Sequence, residues 1–424
     1  MPPAITPLSM LQVLPFAAML FGIALLPLIV PHLWERPAAP LALALVCSAP
    51  VVMLAAHAGD FRDLGNDLEE YVAFIMLIAA LYVTAGGIHI SGNPPGTPLV
   101  NVAFLGIGAL AASLIGTTGA SMLLIRPLLQ ANQERRHKRH VVIFFILLVA
   151  NAGGLLTPLG DPPLYLGYLN GVPFHFPLSL WRAWLLAVGF LLAAFWLWDR
   201  RAYRHEARAD RALDAAQATP IAIRGRVNLL LAGGILAVAA TGVPGPWREA
   251  AFAAIIALSL VLTAGEIRDA NIFHYGPLKE VAALFLGIFA TMGPAIRFLE
   301  QIAPSLPVDK PVGLFFMSGA LSSLLDNAPT YLVFASLAAA RAGFGSDLAA
   351  LCAGAPELLA AVSVGSVFMG ANTYIGNGPN LLVKAVAEGA GPARVAMPGF
   401  LAYAGIAVLV LSPLYAGVAW LLLS

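Results

Sequence analysis

The sequence predicts an all-α polytopic membrane protein, built as an inverted repeat with two re-entrant hairpins and two broken helices. Three observations predict it. Sixty per cent of the 424 residues are hydrophobic and 11% are charged, with a mean hydropathy of +0.85, the balance of a chain whose solvent is largely lipid. Apolar stretches recur along the whole length, so a single membrane domain over residues 1–424 is expected rather than a soluble domain with an anchor. Two of the stretches are interrupted in a matching way. One reads Asn151-Ala-Gly-Gly-Leu-Leu-Thr157-Pro-Leu-Gly-Asp161-Pro-Pro163, the other Asn372-Thr373-Tyr-Ile-Gly-Asn377-Gly-Pro379-Asn380. A membrane helix loses backbone hydrogen bonds at such a break, and survives only if the freed groups face protein or a water-filled cavity.

In order, ten spans are expected at roughly 8–30, 41–58, 70–90, 139–170 (broken), 178–198, 227–244, 248–265, 280–297, 355–388 (broken) and 397–423. The first apolar run lacks a basic flank before it and is followed by further spans, so it reads as a span and not as a cleavable signal. Segments 98–130 and 310–341 are apolar with polar or Gly-rich centres, Gly116-Thr117-Thr118-Gly119 and Asp326-Asn327-Ala328-Pro329. Each is long enough for two half-helices and a turn, and non-helical backbone at membrane depth is tolerated only in such buried tips. Both therefore read as re-entrant hairpins.

Charge gives the orientation. Loop 131–140 carries Arg135, Arg136, Lys138 and Arg139, and loop 199–226 carries seven arginines from Arg200 to Arg226. The positive-inside rule makes both cytoplasmic, with 199–226 a basic cytoplasmic loop. Loop 59–69, with Asp60, Asp63, Asp67 and Glu69, then falls outside. The first hairpin enters from the cytoplasm and the second from outside, and both termini come out external. Repeat one covers about 70–198 and repeat two about 280–423. Thr157-Pro-Leu-Gly-Asp-Pro-Pro163 aligns with Thr373-Tyr-Ile-Gly-Asn-Gly-Pro379, and Ser113-Leu-Ile-Gly-Thr-Thr-Gly119 with Ser323-Leu-Leu-Asp-Asn-Ala-Pro329. Paired broken helices in corresponding halves point to the binding site of a secondary transporter.

Asp161 and Asp326 are the two acids at breaks inside apolar segments. A carboxylate at the bilayer centre costs roughly 2.5–3.5 kcal/mol and marks an ion or proton path. Each has a plainer role open to it: Asp161 before Pro-Pro, and Asp326 before Asn-Ala-Pro, can each cap the helix that follows. Thr117, Thr118, Asn151, Thr157, Asn327, Asn372, Thr373, Asn377 and Asn380 supply oxygens suited to a hard cation such as sodium. They serve equally to satisfy broken backbone, and half-helix N-termini at the same place would favour an anion. Lys384 and Glu388 form an i, i+4 pair near a helix end, or Lys384 counters a substrate carboxylate. His57 and His89 fall at span ends, and Gly86-Gly87 suits close helix packing. Cys47 and Cys352 give neither a disulfide nor a metal signal. No cofactor is implied. An intramembrane enzyme needs a nucleophile–base pair; Ser363 and Ser366 lie in an apolar helix with no histidine in a neighbouring span core, so no enzymatic activity is expected. The net charge of +1 argues against nucleic acid as a partner.

At these residues the chain resembles the ion transporter superfamily that holds NhaD-type sodium/proton antiporters, arsenite permeases, citrate/metal transporters and divalent-anion/sodium symporters. The resemblance covers roughly residues 70–423. Asn151-Ala-Gly-Gly-x-x-x-Pro158-x-Gly160-Asp161 looks like the antiporter signature. Gly376-Asn377-Gly378-Pro379-Asn380 followed by Lys384 looks like a pattern shared by antiporter-like and citrate-transporter-like members. It implies ion-site roles for Asn151 and Asp161, a second hairpin tip at Asp326-Asn327 and a second unwound stretch from Asn372 to Asn380. Antiporter-like members often carry an acid at the first hairpin tip, where this chain has Gly116-Thr117-Thr118-Gly119. They usually carry hydroxyl residues after the aspartate, where it has Pro162-Pro163.

The reading that ranks first is a sodium (or lithium)/proton antiporter, with sodium and protons as partners. The alternative is a sodium-coupled transporter of citrate, a dicarboxylate or another oxyanion. The expected setting is a bacterial inner membrane, with the lipid bilayer as solvent, and the resemblance implies a homodimer.

Overall fold

A computed structural model describes residues 7–34, 36–303 and 310–423, the side chains of 7–10, 28 and 31 excepted. Residues 1–6 and 424, on which the expected external termini fall, lie outside the described residues. The chain is an all-α membrane protein. Among the described residues, 7 helices are long and apolar enough to cross a bilayer. Ten spans are expected from hydropathy; several of the others are shorter or bent.

The chain begins with α1 (Pro7–Ile29), α2 (Pro31–Trp34), α3 (Ala39–Ala58) and α4 (Arg62–Gly86). Helix α4 starts ahead of the expected 70 and stops at Gly86, where a Cβ would meet the Phe273 ring at 2.2 Å. Residues His89–Asn93 form strand β1 instead of a last helical turn. The first hairpin is α5 (Pro98–Ile115) and α6 (Thr117–Ala131), hinged at Gly116 with φ +81°, a conformation that glycine adopts without a Cβ penalty. Thr97 caps α5 by accepting from the Val100 N–H, with Pro98 at the first position. The first broken helix is α7 (Arg139–Leu148), a 3₁₀ turn over Ala152–Leu156, and α8 (Pro162–Leu169).

Next come α9 (Trp181–Arg204), α10 (Arg208–Ala216), strand β2 (Thr219–Arg224), α11 (Val227–Ala240), α12 (Trp247–Leu262) and α13 (Gly265–Ala270). Helices α11 and α12, at 14 and 16 residues, fall short of the about 20 that a perpendicular crossing takes. The second half holds α14 (Gly276–Ile302), the hairpin α15 (Pro311–Ser322) and α16 (Asn327–Arg341), then α17 (Leu348–Gly354). The second broken helix is α18 (Pro356–Met369), a 3₁₀ turn over Gly370–Asn372, and α19 (Gly378–Glu388); α20 (Phe400–Leu423) closes the fold. Helix α17 is bent by 115° from α18 and falls between the expected segments 310–341 and 355–388.

Segment 199–226, expected as a basic loop, is largely exposed but carries secondary structure. It continues α9, forms α10, and pairs β2 antiparallel to β1, with His89 opposite Arg224 and Ile90 opposite Ile223. Its acids anchor it. Asp199, fully buried, accepts from Arg135 (2.5 Å), His140 (2.8 Å) and Asn101 (3.0 Å). Glu206 accepts the backbone N–H groups of Arg136 and His137. Burial alone would raise the Glu206 carboxyl, but those N–H groups and the nearby cations hold it below its ordinary value. Asp214 accepts from Gly96 N–H at 2.9 Å. These contacts and the β ribbon put 89–96, 131–140 and 199–226 on one face. Asp63–Arg297 (2.5 Å) and Asn170–Glu70 (3.3 Å) close the opposite one, so the basic and acidic segments end α4 on opposite sides.

Removing one partner of a buried ion pair strands the other. Asp199→Ala should therefore lower stability by about 3–5 kcal/mol, read as a fall in the thermal unfolding midpoint of the purified protein, with Asp210→Ala on the exposed Arg136 pair nearly silent.

Candidate ion and substrate site

Both broken helices unwind in the same way. After each 3₁₀ turn, Thr157 (φ −138°, ψ 159°) and Thr373 (φ −136°, ψ 168°) are extended. Four residues on, Asp161 (φ −147°, ψ 142°) and Asn377 (φ −155°, ψ 135°) begin α8 and α19. Aligned residues also make the same bonds to the hairpins: the Thr157 hydroxyl donates to Ser113 O, and the Thr373 hydroxyl donates to Ser323 O. Each hairpin tip is thus tied to the unwound stretch of its own half.

Asp161 is 1% exposed and sits where four helices begin. Its Oδ1 accepts from Thr117 Oγ1 (2.8 Å), the first residue of α6, and from Asn377 Nδ2 (3.3 Å), the cap of α19. Its Oδ2 accepts from Asn327 Nδ2 (2.5 Å), the first residue of α16. Thr117 and Asn327 occupy aligned positions in the two hairpins, and Asn377 is aligned with Asp161 itself. The side chain makes no hydrogen bond to the start of α8, so the capping role open to this residue is not the one it takes. The carboxylate faces across the molecule.

Asp326 takes the other course. It is half-buried, and its carboxylate caps α16 by accepting from Ala328 N–H at 3.1 Å. It makes no hydrogen bond to Asp161 among the described residues. It sits one residue along the chain from the Asn327 amide that donates to Asp161.

Amides extend the cluster. Asn377 Nδ2 also reaches Asn151 Oδ1 (3.2 Å), Asn151 Nδ2 donates to Asn380 Oδ1 (2.7 Å), and Asn380 Nδ2 closes on Gly370 O and Thr373 O (2.9 Å each). Asn151, Asp161, Thr117, Asn327, Asn377 and Asn380 therefore form one connected set. Asn372 lies apart, donating to Ser323 Oγ (2.9 Å) and accepting from Tyr415 (2.7 Å). Thr157 and Thr373 satisfy backbone. Thr118, half-buried, lines a void of about 30 Å³ that also touches Thr117, Gly160 and Asp161. That is room for an ion or a water. Asn327 Oδ1 is buried with no hydrogen-bond partner among the described residues, an acceptor that a cation or a donor would satisfy.

Lys384 stays local, paired with Glu388 at 2.7 Å and over the Tyr374 ring. Ser363 donates to Leu359 O within its own helix. Ser113, Ser323 and Tyr415 are absent from the expected site. The two serines were signalled by the aligned Ser-Leu motifs; nothing local marked Tyr415, which arrives from α20.

A protein-family model described as "Putative citrate transport" matches residues 5–423. No curated protein matches the chain.

Proposed function

The chain belongs to the citrate-transport family matched over residues 5–423, and on that premise we propose that it is a cation-coupled secondary transporter for a small carboxylate, with Asp161 as the coupling residue. The observation that carries the proposal is the meeting of four helix N-termini at Asp161. Each N-terminus bears partial positive charge, and together they favour an anion. While Asp161 is ionised, its own carboxylate uses that potential and repels a second anion. A sodium ion at Asp161, with Asn327 Oδ1 and the Thr117 hydroxyl as further oxygens, neutralises it and leaves the helix termini for a substrate carboxylate. Coupling then follows from electrostatics, because the anion binds well only after the cation. In this reading the two hairpins and two broken helices are halves of an inverted repeat that alternates the site between faces. A homodimer in a bacterial inner membrane goes with it.

A sodium/proton antiporter is the second reading. The ion-sized void beside Asp161 favours it, as does a bonded shell of hydroxyl and amides without a basic group. Against it stand the family, the acid-free first hairpin tip and an Asp326 occupied as a cap.

The test is uptake of labelled citrate into proteoliposomes under an imposed sodium gradient, a proton gradient or neither, with a lumenal pH dye read in parallel. Citrate accumulation that follows the cation gradient is the expected result. A pH response to sodium alone, with no uptake of citrate or of a dicarboxylate, would instead make the antiport reading correct.

A further inference from the structure

A larger cavity, about 360 Å³, opens on the face that carries the arginine-rich segments, between α6, β1 and α13. Ligand pockets run from about 300 Å³ upward, so it can take a small organic anion. Its walls include Arg126, His89, Ser91, Gln130, Thr219 and Asn271, and no carboxylate. Arg126 is half-buried on α6, and among the described residues neither a hydrogen-bond acceptor nor an acid pairs with it. Three other arginines of this face do have an acid beside them: Arg135 holds Asp199, Arg136 holds Asp210 and Arg224 lies by Glu266. An unpartnered guanidinium in a partly desolvated pocket is a fork for a carboxylate.

The pocket is rigid where it needs to be. Asn271 Nδ2 donates to Gly86 O (2.9 Å) and Ile88 O (2.7 Å), so its Oδ1 faces His89 Nδ1 (2.7 Å) and makes that nitrogen the donor. The β1–β2 ribbon covers one side. Helix α6 joins the pocket to the central site: Thr117, on Asp161, and Arg126 are nine residues apart, roughly 14 Å along one helix.

We propose that the Arg126 cavity is a second binding site for a small carboxylate, the station at which the substrate waits on the arginine-rich side of the central site. This rests on the carboxylate reading given above.

The experiment measures citrate affinity calorimetrically on the full chain in nanodiscs with sodium present, and in parallel the KM for citrate presented from the arginine-rich face of oriented proteoliposomes. The variants are Arg126→Gln, Arg126→Lys and Gln130→Glu. Gln130 is exposed, so its substitution places a repelling charge at the wall without disturbing packing. Losing a charge-assisted bidentate contact should weaken citrate about ten- to a hundredfold in Arg126→Gln, less in Arg126→Lys, with Gln130→Glu weakened in the same direction. KM from that face should rise while uptake at saturating citrate holds. Wild-type transport with unchanged affinity and KM in both Arg126→Gln and Gln130→Glu would overturn this site and leave the transporter reading intact. A wild-type protein that neither binds nor moves a carboxylate would overturn both. Should Arg126→Gln not fold, Gln130→Glu and Arg126→Lys decide alone.

Discussion

Asp161→Asn should reduce cation-driven carboxylate uptake by at least about a hundredfold while the protein still folds. The substitution keeps the size of the side chain and one acceptor oxygen, so either Thr117 and Asn377 or Asn327 can still donate to it. What it removes is the charge that a cation is proposed to neutralise. It also turns an amide NH₂ toward a donor, which should cost about 1–3 kcal/mol of stability, too little to unfold a well-packed membrane core. Uptake normalised to reconstituted protein, beside a thermal midpoint, separates the two effects. Asp326→Asn is the informative control. It retains an oxygen for the Ala328 N–H and should lose less than about tenfold. Equal losses in the two variants would restore Asp326 as a full partner in the site.

The second large effect concerns the breaks themselves. A Cβ on Gly160 would lie 2.0 Å from Gly154 O, and on Gly376 it would lie 2.5 Å from Ser322 O and 2.6 Å from Gly370 O. All of these are backbone atoms, which cannot rotate aside. Gly160→Ala and Gly376→Ala should each destabilise the protein by about 1–3 kcal/mol or more, through the same close approach of the unwound strand to the 3₁₀ turn before it. Thermal unfolding of the purified variants is the measurement. Gly378→Ala, with nothing near the added methyl, should leave the midpoint within about 0.5 kcal/mol of the wild type.

The breaks, the hairpins and most of the connected site were legible in the sequence because glycine, proline and asparagine are costly in lipid and mark their own positions. The alignment of Ser113 with Ser323 and of Thr157 with Thr373 anticipated a shared pair of hydrogen bonds that no single position would suggest. Three features were not legible. Asp161 and Asp326 look alike as acids before a helix, yet one faces the opposite half of the molecule and the other caps its own helix; only the three-dimensional partners distinguish them. The arginines of 199–226 dominate its composition, so the acids that fix it, Asp199, Glu206 and Asp214, read as part of a solvated face until their partners arrive from Arg135, Arg136 and Gly96. The β ribbon joins residues more than a hundred positions apart, beyond any local pattern.

Asp161 is the proposed place where cation and anion are linked. Linkage requires that citrate affinity rise with sodium concentration in the wild-type protein, and by the same factor that citrate strengthens sodium. The decisive measurement is a citrate titration of the purified protein at a series of sodium concentrations, repeated with Asp161→Asn. The prediction is a tenfold or larger gain in affinity across the series for the wild type, about 1.4 kcal/mol of coupling or more, and a flat response in the variant. Citrate affinity that depends on sodium equally in both proteins would contradict it.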